Sequence, residues 1–140
     1  MSLRAQNTPP KATPEQIAED QAFLKKNRSQ PGIIETSSGL QYKVIKMGNG
    51  PKPQRLNRVT INYTLRLFNG KIVGSNGNYP FDHHMDKAYF GMEEALKMMP
   101  VGSKWELWMP AKLCGSAFEK NVGGEGRSLM CTIELLSITQ

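Results

Sequence analysis

The run EEALKMMPVGSKWELWM, residues 93–109, constrains the fold more than any other part of the chain. Met92, Ala95, Leu96 and Met99 recur at three- and four-residue spacing and therefore share one face of a short helix. Pro100 ends that helix, because proline disfavours helical backbone at Met99, and Val101-Gly102 lets the chain reverse. From Ser103 onward Trp105, Leu107 and Met109 alternate with Lys104, Glu106 and Trp108, the period of a strand with one strongly apolar face. A helix laid on a sheet follows.

The rest of the chain can be placed around this unit. Residues 1–12, with Pro9, Pro10 and little to bury, read as a disordered lead-in. Thr13-Pro14-Glu15-Gln16 supplies an N-cap, a proline at the first helical position and a glutamine at the third, which predicts a capped helix to about Asn27. Its apolar residues, Ile17, Phe23 and Leu24, are few, so it is marginal alone. Residues 13–30 thus form a helix and linker, and residues 31–140 the main domain. Strands are expected over 33–36, 40–47 and 59–68. Asn69-Gly70 predicts a two-residue hairpin into Ile72-Val73. Residues 74–89, polar and rich in Gly, Asn and His, read as a long loop, as do residues 111–127, and residues 128–138 as a final strand. The fold class is α+β, an antiparallel sheet on one helix.

Several chemistries are not expected. The net charge of +6 comes from dispersed basic residues, with no strand that interleaves them with exposed aromatics, so no nucleic-acid partner is read. No apolar run approaches the roughly 18–20 residues that span a bilayer, and residues 1–10 are too polar for a signal peptide. There is no phosphate loop, no GxSxG elbow and no CxxC pair. Asp82-His83-His84-Met85-Asp86 offers adjacent histidines but no third ligand nearby, so no metal and no cofactor is expected and the segment reads as a solvated loop.

Specific motifs carry a family resemblance. Residues 91–96 (GMEEAL) and 99–107 (MPVGSKWEL) with Pro110 resemble the helix-turn-strand of FKBP-type peptidyl-prolyl isomerases, particularly the bacterial macrophage-infectivity-potentiator group. Residues 39–45 with Gly48-Asn49-Gly50 resemble that group's entry strand, residues 59–64 (VTINYT) its VTVxYT strand and residues 132–138 its last strand. The resemblance runs collinearly from Phe23 to Ile138. It implies a twisted antiparallel sheet wrapped around one short helix, preceded by a short N-terminal helix. In the resembling proteins a much longer helix leads to a dimerisation module, so dimerisation by that route is not expected here. Resemblance favours a periplasmic or exported location.

The family pocket is a dry aromatic cage for proline, and carrying its residues over leaves it eroded. Tyr63 keeps the wall tyrosine of the VxYT strand, and Phe81 or His83 stands for another aromatic wall. Val73-Gly74 replaces Phe-Asp, so one wall shrinks and the rim carboxylate is lost at Gly74. Ala88-Tyr89-Phe90-Gly91-Met92 replaces VIPGW, with Met92 at the tryptophan floor. Leu113-Cys114-Gly115 replaces LAYG, losing a tyrosine hydroxyl at Gly115, and Cys131 replaces a phenylalanine. Each lost wall is worth roughly 1.5–3 kcal/mol when buried. Tyr89, Phe90 and Trp108 are unmatched aromatics able to refill the space. The candidate peptide-binding residues are therefore Tyr63, Val73, Phe81, Ala88, Tyr89, Met92 and Cys131, with no confident catalytic residue. Cys114 and Cys131 lie on segments that approach one another in the resembling fold, as a disulfide if exported or as buried thiols. The expected function is weak or absent X-Pro isomerisation on proline-containing peptides or unfolded clients; the alternative is a non-catalytic, chaperone-like peptide-binding module.

Overall fold

The computed structural model describes residues 9–77, 79–117 and 119–139. The first helix, α1 (Pro14–Asn27), begins as the sequence dictates. Thr13 Oγ1 accepts from the Gln16 N–H at 3.1 Å and Gln16 Oε1 accepts from the Thr13 N–H at 3.0 Å, satisfying two otherwise orphaned donors. Lys25 and Lys26 occupy its last turn, where cations complement the helix dipole.

Seven strands follow: β1 (Ile34–Glu35), β2 (Gln41–Lys46), β3 (Arg58–Leu67), β4 (Ile72–Ser75), β5 (Phe81–His84), β6 (Lys104–Met109) and β7 (Leu129–Thr139). The second helix, α2 (Phe90–Met98), lies between β5 and β6 in the chain. The sheet runs β1-β2-β6-β7-β3-β4, with β5 also paired to β3, and every pair is antiparallel. This is the α+β architecture read from the sequence. Register shifts at Val44/Lys46, Thr60/Ile61 and Leu65/Arg66 add local twist and let the sheet curl.

The predicted apolar faces meet in one core. Met92, Ala95, Leu96 and Met99 of the helix are 5% exposed or less, as are Trp105, Leu107 and Met109 of β6, and Val59, Ile61 and Leu65 of β3. Leu135 and Ser103 exchange backbone bonds with the turn, Gly102 N to Leu135 O and Leu135 N to Ser103 O, both 2.9 Å. Gly102 itself sits at φ +96°, which only glycine adopts cheaply.

Four sequence readings need correction. Residues 74–89 are not one loop: β5 pairs Phe81 with Ile61 and His83 with Val59, and a 3₁₀ turn spans Met85–Lys87. The segment was too polar and too short to betray a strand, which forms because β3 offers an open edge. The hairpin closes over three residues rather than two, with Leu67 N bonded to Lys71 O, Gly70 N bonded to Leu67 O and Gly70 at φ +97°. That is a type I turn followed by a left-handed glycine, and the extra residue adds strand twist. Trp108, placed on the polar face of β6, is 7% exposed. Its register partner is Gln41, whose Nε2 donates to Leu24 O at 2.9 Å, so Trp108 shares the sheet face on which α1 lies.

The fourth concerns the lead-in. Residues 1–8 lie outside the described residues, but Ala12 is 7% exposed and its N–H donates to Glu125 O at 2.8 Å. The chain just before α1 is therefore strapped to the turn that precedes β7.

Candidate functional site

Alternation along β3 turns Val59, Ile61, Tyr63 and Leu65 toward the helix, and the candidate residues collect around them. Ala88, Tyr89, Met92 and Cys131 belong to the buried cluster, with Tyr63 and Val73 packed against it. Phe81 abuts Tyr63 edge-on, ring centroids 5.6 Å apart, and the His83 ring lies tilted at 38° against Phe81 at 5.0 Å. Phe81 and His83 alternate with Asp82 and His84 on β5, so the two histidines project to opposite faces and do not form one chelating pair. Among the described residues no group of three potential ligands gathers to hold a metal ion.

Four of the seven candidate residues are buried outright, while Tyr63 and Val73 are half-buried and Phe81 is exposed. Ala88 is 1% exposed, Tyr89 3%, Met92 5% and Cys131 0%. Of the three unmatched aromatics, Tyr89 turns inward, while Phe90 is 50% exposed and Trp108 lies on the far side of the sheet. The Tyr89 hydroxyl donates to Lys120 O at 2.6 Å and accepts from the Val122 N–H at 3.0 Å. Burial pushes its pKa up to about 12; the Val122 N–H pulls the other way and the Glu119 charge adds to the rise. Tyr89 is thus a neutral phenol with both hydrogen-bonding functions engaged.

The turn that holds Tyr89 also covers the rim. A Cβ built on Gly74 would lie 3.5 Å from Leu65 Cδ1 and 3.8 Å from Val122 Cγ2, ordinary contacts, so no close neighbour requires glycine at this position. Gly74, Leu65, Cys131 and Leu107 form one row across β4, β3, β7 and β6. Gly115 lies outside that row, its carbonyl accepting from the Phe90 N–H at 2.9 Å and so fixing the start of α2.

Charge near the site is sparse. Burial raises the Tyr63 pKa, with smaller contributions from Glu119 and Cys131. Burial lowers that of His83; Glu119 and Asp82 oppose this, while His84 and Lys87 reinforce it. Cys114 and Cys131 are free thiols, both buried. Burial pushes the Cys114 thiol up to about 12 and the Cys131 thiol up further, so neither is a nucleophile near neutrality.

A separate cleft of about 770 Å³ lies beyond this turn, lined among others by Lys11, Phe90, Lys112, Ser116 and Lys120. It includes none of Tyr63, Val73, Tyr89, Met92 or Cys131. The residues that sequence reasoning missed are Lys120 and Val122, which act through backbone atoms and so leave no side-chain signature. Their only trace is the glycine density at Gly123, Gly124 and Gly126, which marks close backbone approach.

Comparison with known proteins agrees with this architecture. Residues 50–136 match the FKBP-type peptidyl-prolyl cis-trans isomerase family, and residues 2–44 match the domain amino-terminal to it. The chain is 38% identical over 133 residues to the outer membrane protein MIP of Legionella longbeachae, covering 91% of this chain and 56% of that protein. It is 36% identical over 126 residues to the FKBP-type 22 kDa peptidyl-prolyl cis-trans isomerase of Escherichia coli, covering 86% and 60%. The chain therefore spans little more than half the length of these relatives. The crystal structure of a peptidyl-prolyl cis-trans isomerase from Pseudomonas syringae superposes with a TM-score of 0.80 at 28% identity, covering 92% of this chain and 97% of that one. Escherichia coli FkpA also gives 0.80, at 26% identity, covering 89% and 60%. With a helix cradled by a curled antiparallel sheet and a family match over most of that sheet, the chain belongs to the FKBP-type peptidyl-prolyl cis-trans isomerases of the bacterial Mip-like kind.

Proposed function

We propose that this domain binds proline-containing segments of peptides or unfolded proteins and isomerises X-Pro bonds only weakly. Isomerisation breaks no covalent bond; its barrier of roughly 20 kcal/mol is lost amide resonance. A twisted amide is less polar than a planar one, so a dry apolar pocket can favour it over the ground state. The observation that carries the weak-activity reading is Tyr89, 3% exposed, its hydroxyl held by Lys120 O and Val122 N beside buried Met92 and Cys131. A proline ring has to displace that side chain before it can be enclosed. The missing rim carboxylate at Gly74 and the missing hydroxyl at Gly115 remove two polar contacts besides.

The alternative, a module that holds peptides without turning them, is favoured by a different observation. Tyr79 is 81% exposed and Phe81 37%, and Phe81 continues inward to Tyr63, which leaves aromatic surface outside the closed pocket. Two-dimensional NMR exchange on an X-Pro peptide separates the two. Weak catalysis broadens or exchanges the cis and trans signals at enzyme concentrations well above those an intact family member requires; a pure holder shifts peptide resonances and leaves exchange unchanged. Turnover equal to that of an intact member overturns the reading of Tyr89 as an obstruction.

A further inference from the structure

We infer that Asp20 of α1 is a positioning residue for the pocket: it anchors the turn before β7, and that turn fixes the Tyr89 hydroxyl. The starting point is an acid in the wrong place. Ile17, Asp20 and Leu24 lie on one face of α1, and Asp20, at 3% exposed, is more buried than half-buried Ile17 or Leu24 at 7%. Its Oδ2 accepts from Arg127 Nε and from the Ser128 N–H, both at 3.0 Å, and its Oδ1 accepts from Arg127 Nη2 at 3.4 Å. A forked guanidinium and a backbone N–H satisfy this carboxylate, and an uncompensated charge would remain if either side were removed.

The residues before α1 grip the same turn. Ala12 N–H donates to Glu125 O, and a Cβ on Gly126 would come within 3.2 Å of Ala12 Cβ and 3.6 Å of Ile17 Cδ1. A Cβ on Gly124, at φ +109°, would run into Pro10 O. From this anchored end the turn is braced internally: Asn121 Nδ2 donates to Arg127 O at 2.8 Å and Asn121 Oδ1 accepts from the Gly123 N–H at 2.9 Å. The braced segment ends at Lys120 O and Val122 N, the two partners of Tyr89. A continuous set of hydrogen bonds therefore joins the N-terminal helix to the side chain that occupies the pocket, and whatever shifts α1 shifts Tyr89.

Amide hydrogen exchange on the whole chain tests the coupling, because Val122 reports on the Tyr89 bond and Ser128 on the Asp20 bond. Asp20→Ala is expected to speed exchange at Val122 about tenfold, a coupling of about 1.4 kcal/mol, while Ile133 in the middle of β7 stays protected. Coupling is reciprocal, so Tyr89→Phe speeds exchange at Ser128 by a similar factor. If Asp20→Ala frees Ser128 but leaves Val122 unchanged, Asp20 is only a local anchor and the inference is overturned. Should Asp20→Ala not fold, Asp20→Asn keeps an oxygen acceptor for the Ser128 N–H while removing the charge that holds the Arg127 guanidinium, and Val122 is read in the same way. That loosening Tyr89 opens the site rests on the pocket reading above. Faster Val122 exchange with no gain in X-Pro peptide affinity therefore upholds the coupling and refutes the pocket.

Discussion

His83 carries the clearest pH signature at the scale of single residues. Burial lowers its pKa below the ordinary value of 6.5, and the Glu119 charge only partly offsets this. Between that lowered value and about 6.5 the unfolded chain binds a proton that the folded chain does not, so stability falls as pH drops through this window and levels off below it. In His83→Gln that dependence is expected to flatten. Urea midpoints at pH 7.5 and 5.5 measure it, and equal drops for wild type and variant would remove His83 from the account. Residue identity was legible for Tyr63, Met92 and Cys131, whose positions follow from strand and helix period. It was not legible which of the neighbours Tyr89 and Phe90 turns inward, because adjacent residues differ only in which way the chain points them. Asp20 was equally hidden: its place on the Ile17–Leu24 face can be read from the spacing, but its partner lies 107 residues away.

Elements were read best where the period was long. Helix α2 and strands β3, β6 and β7 follow from apolar spacing and the start of α1 from its capping box, whereas β5 has only four residues and no alternation of hydrophobicity to betray it. It exists because β3 has edge left over beyond β4. Asn76 bridges the gap, its Oδ1 accepting from the Tyr63 N–H at 3.0 Å in place of a strand carbonyl. The seat of α2 on β6 depends on a glycine for reasons of space. A Cβ on Gly91 would fall 2.7 Å from both Cγ and Sδ of Met109 and 3.3 Å from Leu113 Cβ. Alanine gains about 0.5–1 kcal/mol of helix propensity, yet overpacking a side chain that is 0% exposed costs about 1–3 kcal/mol. Gly91→Ala should therefore lose about 1 kcal/mol, and at most about 2.5, in a urea titration, and a variant more stable than wild type would mean that Met109 has room to move.

For the whole molecule, the unexpected result is that the N-terminal helix is part of the fold. Its few apolar residues predicted a marginal element, and polar contacts make up the difference. Gln41 Nε2 donates to Leu24 O and to Glu35 Oε2, Gln41 Oε1 accepts from Asn27 Nδ2, and Phe23 stacks on Phe68 with centroids 4.5 Å apart. Helix and sheet should then unfold together. Far-ultraviolet circular dichroism and the fluorescence of Trp105 and Trp108 are expected to give coincident melting curves, and an early helical transition would contradict this. The two sulfhydryls have a last consequence for a protein of this architecture. Sealed in the interior and protonated at any physiological acidity, they offer no thiolate to glutathione or to an oxidase while the chain is folded. None of the folded chain's rigidity therefore rests on a sulfur cross-link; packing and hydrogen bonds supply it.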